Sequence, residues 1–128
     1  MKLIFKILAL SLMLQCFQCS DKNEPSDLIT SAQLETKNQE IQNYINGFAC
    51  SESVGCNYIA FGSKPCGGPR KYLLFSNSVN LIHLQEMVKN YNEMDRLHNI
   101  QTNAISDCMY AMPPTEVKCI NGVCTIVN

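Results

Sequence analysis

The chain has 128 residues, 46% of them hydrophobic, and its ten lysines and arginines nearly balance eleven aspartates and glutamates. This length predicts one domain. The balance of charge argues against nucleic-acid binding, which needs a basic surface. Eight cysteines and the absence of tryptophan instead predict a lightly packed domain that is stabilised by cross-links.

The first nineteen residues have the parts of an export signal. Lys2 and Lys6 supply positive charge, residues 7–14 form an apolar run, and Cys19 precedes the polar stretch 20–25. A run of eight apolar residues is too short to span a bilayer as a helix, which takes about 20. We therefore expect a cleaved signal peptide at 1–19, a tether at 20–25 and a single domain at 26–128.

The segment around Cys19 resembles the processing site of bacterial lipoproteins, in which this cysteine becomes the lipid-modified N-terminus. Gln18 stands where those proteins usually have a small residue, and Cys16 is the alternative acceptor. The acidic tract that follows looks like that of Bacteroidetes lipoproteins. The resemblance implies an exported protein, held in the outer membrane by more than one acyl chain and facing the periplasm or the cell surface. The alternative is an ordinary signal peptide.

One helix and two strands are predicted after the tether. The helix is expected from Ser26 to Asn46, because apolar residues recur there at helical spacing and Gly47 supplies a stop signal. These apolar residues are Leu34, Ile41, Tyr44, Ile45 and Phe48. Residues 57–61 and 71–75 are β-branched and aromatic, with glycine and proline between them, and they predict two strands.

The loop at 62–70 between these strands holds the candidate binding residues. Its three glycines and two prolines restrict its shape, and residues 64–71 hold three of the eight cations that remain once Lys2 and Lys6 are excluded. A restrained loop loses less entropy on binding. A basic side chain from it, Lys64 or Arg70, could enter an acidic specificity pocket such as that of trypsin. The alternative is a structural turn only. The predicted binding loop comprises Lys64, Pro65, Cys66, Gly67, Gly68, Pro69, Arg70 and Lys71.

A second helix is predicted from Ser78 or Asn80 to about Asn99. Its apolar residues fall at three- and four-residue steps and indicate a face packed on the core. They are Leu81, Leu84, Met87, Val88, Tyr91, Met94 and Leu97. Residues 106–112 predict a strand that Pro113 ends. With a final hairpin, this order predicts an α+β fold of two helices on an antiparallel sheet of about five short strands.

The final hairpin is predicted at residues 117–127. Asn121 and Gly122 lie between two β-prone runs, and both residues of such a turn favour positive φ. This register places Cys119 opposite Cys124 at a separation that a disulfide accepts. We weigh that pairing against the alternative that both thiols point to one face of the hairpin and bind separate partners.

Six cysteines follow the signal, an even number in an oxidising compartment, and they predict three disulfides. They are Cys50, Cys56, Cys66, Cys108, Cys119 and Cys124. Zinc is the competing interpretation, because the spacings of two of the cysteine pairs could bring thiolates together. No Cys-x2-Cys pair occurs among these six, and we expect no metal and no cofactor.

Few residues suggest catalysis. The chain contains none of the motifs typical of serine hydrolases, zinc peptidases or phosphate-binding enzymes. His83 and His98 have no acid or cysteine spaced to share a metal with them, and Glu93 and Asp95 are expected to be solvated surface acids. We therefore expect a protein that is not an enzyme.

The stretch from Cys56 to Tyr72, the Tyr91-Asn92 helix and the closing cysteine pair resemble small cysteine-rich bacterial lipoproteins of unassigned function. In size and anchoring the chain is also similar to potempins, the lipoprotein protease inhibitors of Bacteroidetes, although no inhibitory residue can be transferred. The resemblance implies a protein partner, with protease inhibition as the most concrete function. The alternatives are an interaction module of an envelope complex and an immunity protein that neutralises a toxin.

Overall fold

The computed structural model describes residues 28–127. Their elements are helix α1 (Ser31–Asn46), strands β1 (Cys56–Phe61) and β2 (Lys71–Ser76), helix α2 (Leu81–Gln101), and strands β3 (Val117–Ile120) and β4 (Val123–Ile126). The α+β class is confirmed. The predicted signal peptide at 1–19, its acceptor Cys19 and the tether at 20–25 lie outside the described residues.

Helix α1 begins at Ser31, later than the predicted start at Ser26, because Thr30 caps it. The Thr30 hydroxyl accepts a hydrogen bond from the backbone N–H of Gln33, and the Gln33 side chain accepts the N–H of Thr30 in return. This reciprocal cap satisfies two donors that the first turn leaves free. The buried residues of α1 belong to the predicted apolar stripe: Leu34, Ile41 and Ile45.

Strands β1 and β2 form an antiparallel hairpin in which Phe61 faces Lys71 and Cys56 faces Ser76. One side of the hairpin carries buried Phe61, Leu73 and Phe75, and both helices pack on this side. The core is therefore a layer between one two-stranded sheet and two helices. Its buried residues are Ile41, Ile45, Phe61, Leu73, Phe75, Val79, Leu84 and Val88.

Helix α2 begins after Asn80, whose side chain accepts the backbone N–H of His83, and it ends at Gln101, two residues later than predicted. Leu84 and Val88 of the predicted stripe are buried, whereas Leu81 and Leu97 near the two ends are exposed. Within residues 28–127, neither helix combines the length and the apolar content needed to cross a membrane.

The strand predicted at Ser106–Met112 is wrong, since this segment has no regular secondary structure. Cys108 has a positive φ of 55°, which is incompatible with an extended strand. The Asp107 carboxylate accepts the backbone N–H of Met109, a local bond of the kind that competes with strand pairing. The number of strands predicted is therefore also wrong, since the described residues contain four strands in two separate two-stranded sheets.

The Asn121-Gly122 hairpin is confirmed. Strands β3 and β4 pair with the predicted register, Cys119 opposite Cys124, and both turn residues have positive φ, 51° and 82°. The disulfide weighed between these two cysteines is wrong, however. Each cysteine forms a disulfide with a distant cysteine, which is the alternative that we weighed.

The three predicted disulfides are confirmed, and two of them attach the second hairpin to the rest of the molecule. Cys119 is bonded to Cys50 and Cys124 to Cys56, and the Cys50 backbone N–H donates to the Gly122 carbonyl. Strands β3 and β4 thereby lie beside β1 and β2. The third disulfide is described with the site below.

Candidate binding surface

The loop at 62–70 is bound to helix α2 by hydrogen bonds at its N-terminal end. The backbone N–H of Gly62 donates to the Asn92 carboxamide oxygen, and that of Ser63 donates to the Asp95 carboxylate, both at 2.7 Å. Within the loop, the Lys64 N–H donates to the Gly68 carbonyl at 2.9 Å. Loop backbone that is bonded in this way has few alternative conformations, so the predicted restraint is present.

Arg70 is the centre of a polar network between the loop and α2. Its guanidinium binds both carboxylate oxygens of Asp95, at 2.7 and 3.0 Å, and the Asn99 carboxamide oxygen at 2.8 Å. Asn99 in turn donates to the Ser63 carbonyl. The hydrogen bond with Asp95 raises the pKa of Arg70 above its ordinary value. The Arg70 side chain therefore connects the loop to α2.

Gly62 provides the space for this arrangement. Its φ of 79° is one that glycine adopts readily, and a Cβ placed there would lie 2.9 Å from Cγ of Arg70. A side chain at this position would push the arginine stem away from Asp95.

Lys64 is also engaged within the molecule. Only 17% of its side chain is exposed, and its ammonium lies 3.4 Å from the Asp107 carboxylate while donating to the Met109 carbonyl. The Met109 backbone N–H and, second, Lys64 lower the pKa of Asp107. Lys64 therefore connects the loop to the segment around Cys108.

The third disulfide joins the same two regions. Cys66, in the middle of the loop, is bonded to Cys108. Between these ties the loop residues Pro65, Gly67 and Gly68 are exposed. Lys71, at the start of β2, is exposed as well, with its ammonium 5.4 Å from the centre of the Phe61 ring. Of the three predicted cations, Lys71 alone has no anionic partner within residues 28–127.

The segment at 104–112, of which residues 106–112 were predicted as a strand, carries exposed apolar residues. The exposed residues are Ile105, Met109, Tyr110 and Met112, at 98%, 69%, 70% and 76%. We call residues 62–70 and 104–112 together the braced surface, because a disulfide and Lys64 connect the two parts. Exposed apolar groups in this number on one segment mark a contact site more often than scattered single ones do.

Tyr110 extends the braced surface toward the outer face of the first hairpin. On that face the rings of Tyr58 and Tyr72 meet edge to face with their centres 5.5 Å apart. Desolvation raises the pKa of Tyr72, and the neighbouring phenols of Tyr110 and Tyr58 raise it further. Tyrosine contributes much contact area at low entropy cost and is enriched at protein interfaces.

Sequence reasoning missed the role of Asp95. It was expected to be a solvated surface acid, but it is buried, with 3% of the residue exposed. A signal was present, because Leu84, Val88, Tyr91 and Asp95 follow one another at helical steps. An acid in line with an apolar stripe is buried and needs a cationic partner. Asn99 continues the same line.

The two histidines contact other parts of the fold, and the clustered cysteines are all in disulfides. The His98 Nδ1 lies 2.7 Å from the Ile29 carbonyl oxygen, and the His83 ring contacts Tyr44 edge to face. The sulfurs of Cys50, Cys56 and Cys124 lie within 4.8 Å of one another. All three are in disulfides, and zinc binds the free thiolate.

Comparisons with protein-family models, with curated proteins and with solved structures found no significant match to this chain. The proposed function therefore depends on the sequence and the geometry of this molecule.

Proposed function

We propose that this protein is an exported, lipid-anchored envelope protein that acts by binding another protein, most concretely by inhibiting a protease. The observation that supports the binding function is the braced surface. It combines exposed apolar side chains with a backbone that is held by the Cys66–Cys108 disulfide and by hydrogen bonds to α2.

Such a combination suits an inhibitor for a physical reason. A protease cleft accepts an exposed, extended segment, and a segment that is already ordered loses little entropy when it enters. If the chain were cut after residue 109, the Cys66–Cys108 disulfide and Lys64 would hold the part before the cut, and the Cys50–Cys119 disulfide would keep the part after it attached. The complex of the protease with the cut inhibitor would then dissociate more slowly than a complex of the protease with a flexible product.

The proposed lipid anchor adds to the effect. A tethered inhibitor has a high effective concentration against proteases that act at the same membrane. Cys19, the proposed acceptor, is nine residues before Leu28, a stretch that spans at most about 30 Å. The braced surface would thereby stay close to the membrane surface.

The test is inhibition of a panel of serine, cysteine and metalloproteases by the full-length protein. We expect at least one class to be inhibited. Replacing Cys66 and Cys108 together by serine should weaken that inhibition about tenfold or more, because the segment is then free to move. The matched control is Lys37→Ala on α1, whose ammonium forms an exposed ion pair with Glu40 and which should leave inhibition unchanged. If no class is inhibited, the proposal fails.

A second candidate function, an interaction module of an envelope complex or an immunity protein, is favoured by the other hairpin. Ile120, Val123 and Ile126 of β3 and β4 are 44%, 64% and 46% exposed. Val123→Asp should abolish capture of a partner protein from envelope extract if this hairpin is the contact. Under the inhibitor proposal, the same variant keeps its full effect on the protease.

A further inference from the structure

The basic side chains of the loop are unsuited to entering the pocket of a partner. Arg70 neutralises Asp95, which is almost fully buried, so that withdrawal of the arginine would leave a buried carboxylate without its cation. Lys64 would have to leave both Asp107 and the Met109 carbonyl. Binding through either cation would weaken the bonds that brace the surface.

Tyr110 differs from both cations, because it is 70% exposed and its phenol lies beside the neutral phenol of Tyr72, so that its withdrawal leaves no charge unpaired. Its backbone is restrained on both sides. Two residues before it, Cys108 is bonded to Cys66. One residue before it, the Met109 carbonyl accepts a hydrogen bond from the Lys64 ammonium. Three residues after it, Pro113 and Pro114 restrict the chain. Residues 108–115 carry no charged side chain.

We infer that Tyr110 is the side chain that enters the specificity pocket of the inhibited protease, and that this pocket is apolar and takes an aromatic ring. The inference rests on the proposed function and names the substrate class of the target. An aromatic ring is accepted by a hydrophobic slot, whereas a lysine or arginine requires an acid at the base of the pocket.

The neighbouring apolar residues are less suited to this position. The Met109 carbonyl is held within the protein by Lys64 and cannot face the oxyanion donors of an enzyme. Met112 precedes Pro113, and the proline nitrogen has no hydrogen to bond in the cleft. Ile105 lies before the disulfide, where the restraints on Tyr110 do not apply.

The experiment compares inhibition of chymotrypsin and of trypsin by the full-length protein and three variants. Unaltered protein should inhibit chymotrypsin and not trypsin. Tyr110→Ala should raise the inhibition constant for chymotrypsin about 30-fold or more, the loss typical of a central contact residue. Tyr110→Lys should transfer inhibition to trypsin. Lys37→Ala, on α1 and outside the braced surface, is the control and should have no effect on either enzyme.

Circular dichroism and a count of free thiols establish that each variant is folded with its disulfides intact. The inference is overturned if Tyr110→Ala inhibits chymotrypsin as well as the unaltered protein does. It is also overturned if trypsin alone is inhibited, or if only a cysteine or metalloprotease is inhibited. In those last two cases the proposed function survives. If no protease is inhibited, both proposals fail.

Discussion

At the scale of single residues, the Arg70–Asp95 pair connects the loop to the second helix. The pair is asymmetric, because the Asp95 side chain is 4% exposed and the Arg70 side chain 44% exposed. Asp95 also accepts the Ser63 N–H, and Asn99 accepts from Arg70. A buried carboxylate that keeps all these partners is tolerated, whereas one that loses its cation is strongly unfavourable.

Arg70→Ala should therefore lower the free energy of unfolding by roughly 2 kcal/mol or more. The reason is that Asp95 would remain buried without its cation. The matched control is Arg96→Ala, which breaks an exposed pair with Glu93 on the same helix and should cost less than about 1 kcal/mol. Urea unfolding followed by circular dichroism measures both. Equal effects of the two variants would contradict a structural role for Arg70.

The Asp107 carboxylate provides a pH-dependent prediction. Its pKa lies below the ordinary value of 3.8, first because of the Met109 backbone N–H and then because of Lys64. A carboxylate whose pKa is lowered on folding stabilises the folded form above its unfolded pKa, and that contribution is lost as the pH falls through the folded pKa. We expect the contacts around Met109 to weaken only below about pH 4.

Nuclear magnetic resonance titration of the Asp107 side chain checks this prediction. Lys64→Ala should raise the pKa of Asp107 toward 3.8, while Lys71→Ala should leave it unchanged. A pKa of Asp107 at or above the ordinary value in the unaltered protein would contradict the contact.

At the scale of elements, the three disulfides have two different tasks. Cys50–Cys119 and Cys56–Cys124 attach a hairpin of two four-residue strands, and an isolated hairpin of this kind is marginal in water. Cys66–Cys108 instead attaches an irregular segment to a loop. Loss of the first kind should affect the fold, and loss of the second kind should affect mainly the braced surface.

Replacing Cys50 and Cys119 by serine should lower the free energy of unfolding by up to about 4 kcal/mol, since the disulfide closes a long loop of sequence separation 69. The comparison variant replaces Cys66 and Cys108. Hydrogen exchange of its backbone amides should speed up in residues 104–112 and stay slow in α1 and α2, because the core does not depend on this bond. Faster exchange across both helices would contradict the division of tasks.

At the scale of the whole molecule, the hydrophobic core is small and a long segment of the chain lies outside it. The buried core cluster contains eight side chains, and residues 102–116 add no regular element. Small domains with little apolar burial usually depend on cross-links. A protein of this construction suits an exported location, where the disulfides persist.

The anchor is a prediction about the whole molecule, and it is checked by detergent partition and by the mass of the N-terminal peptide. Cys19→Ser should release the protein from the membrane fraction, because the lipid acceptor is lost. Cys16→Ser is the matched control and should remain in the membrane fraction. Release by the second change alone would place the acceptor at Cys16.

The regular elements were largely predictable because their signals are local. The stripe from Leu34 to Ile45 and the Asn121-Gly122 turn each depend on neighbours within a few residues, and both are confirmed. The strand expected at 106–112 failed because β-propensity describes fit to a neighbouring strand, and none lies beside it. The candidate loop was located, but the engagement of Lys64 and Arg70 could not be, since their partners lie 25 to 45 residues further along the chain.

From the amino-acid order alone came the class of the fold, the elements with strong periodicity, the turn of the second hairpin and the existence of three disulfides, because each follows from local spacing or from an even count of cysteines. The pairing of those cysteines, the burial of Asp95 and the exposure of Tyr110 were decided by the tertiary structure. They depend on which distant segments share a surface, and the free energy of such contacts is settled only when the whole chain has packed.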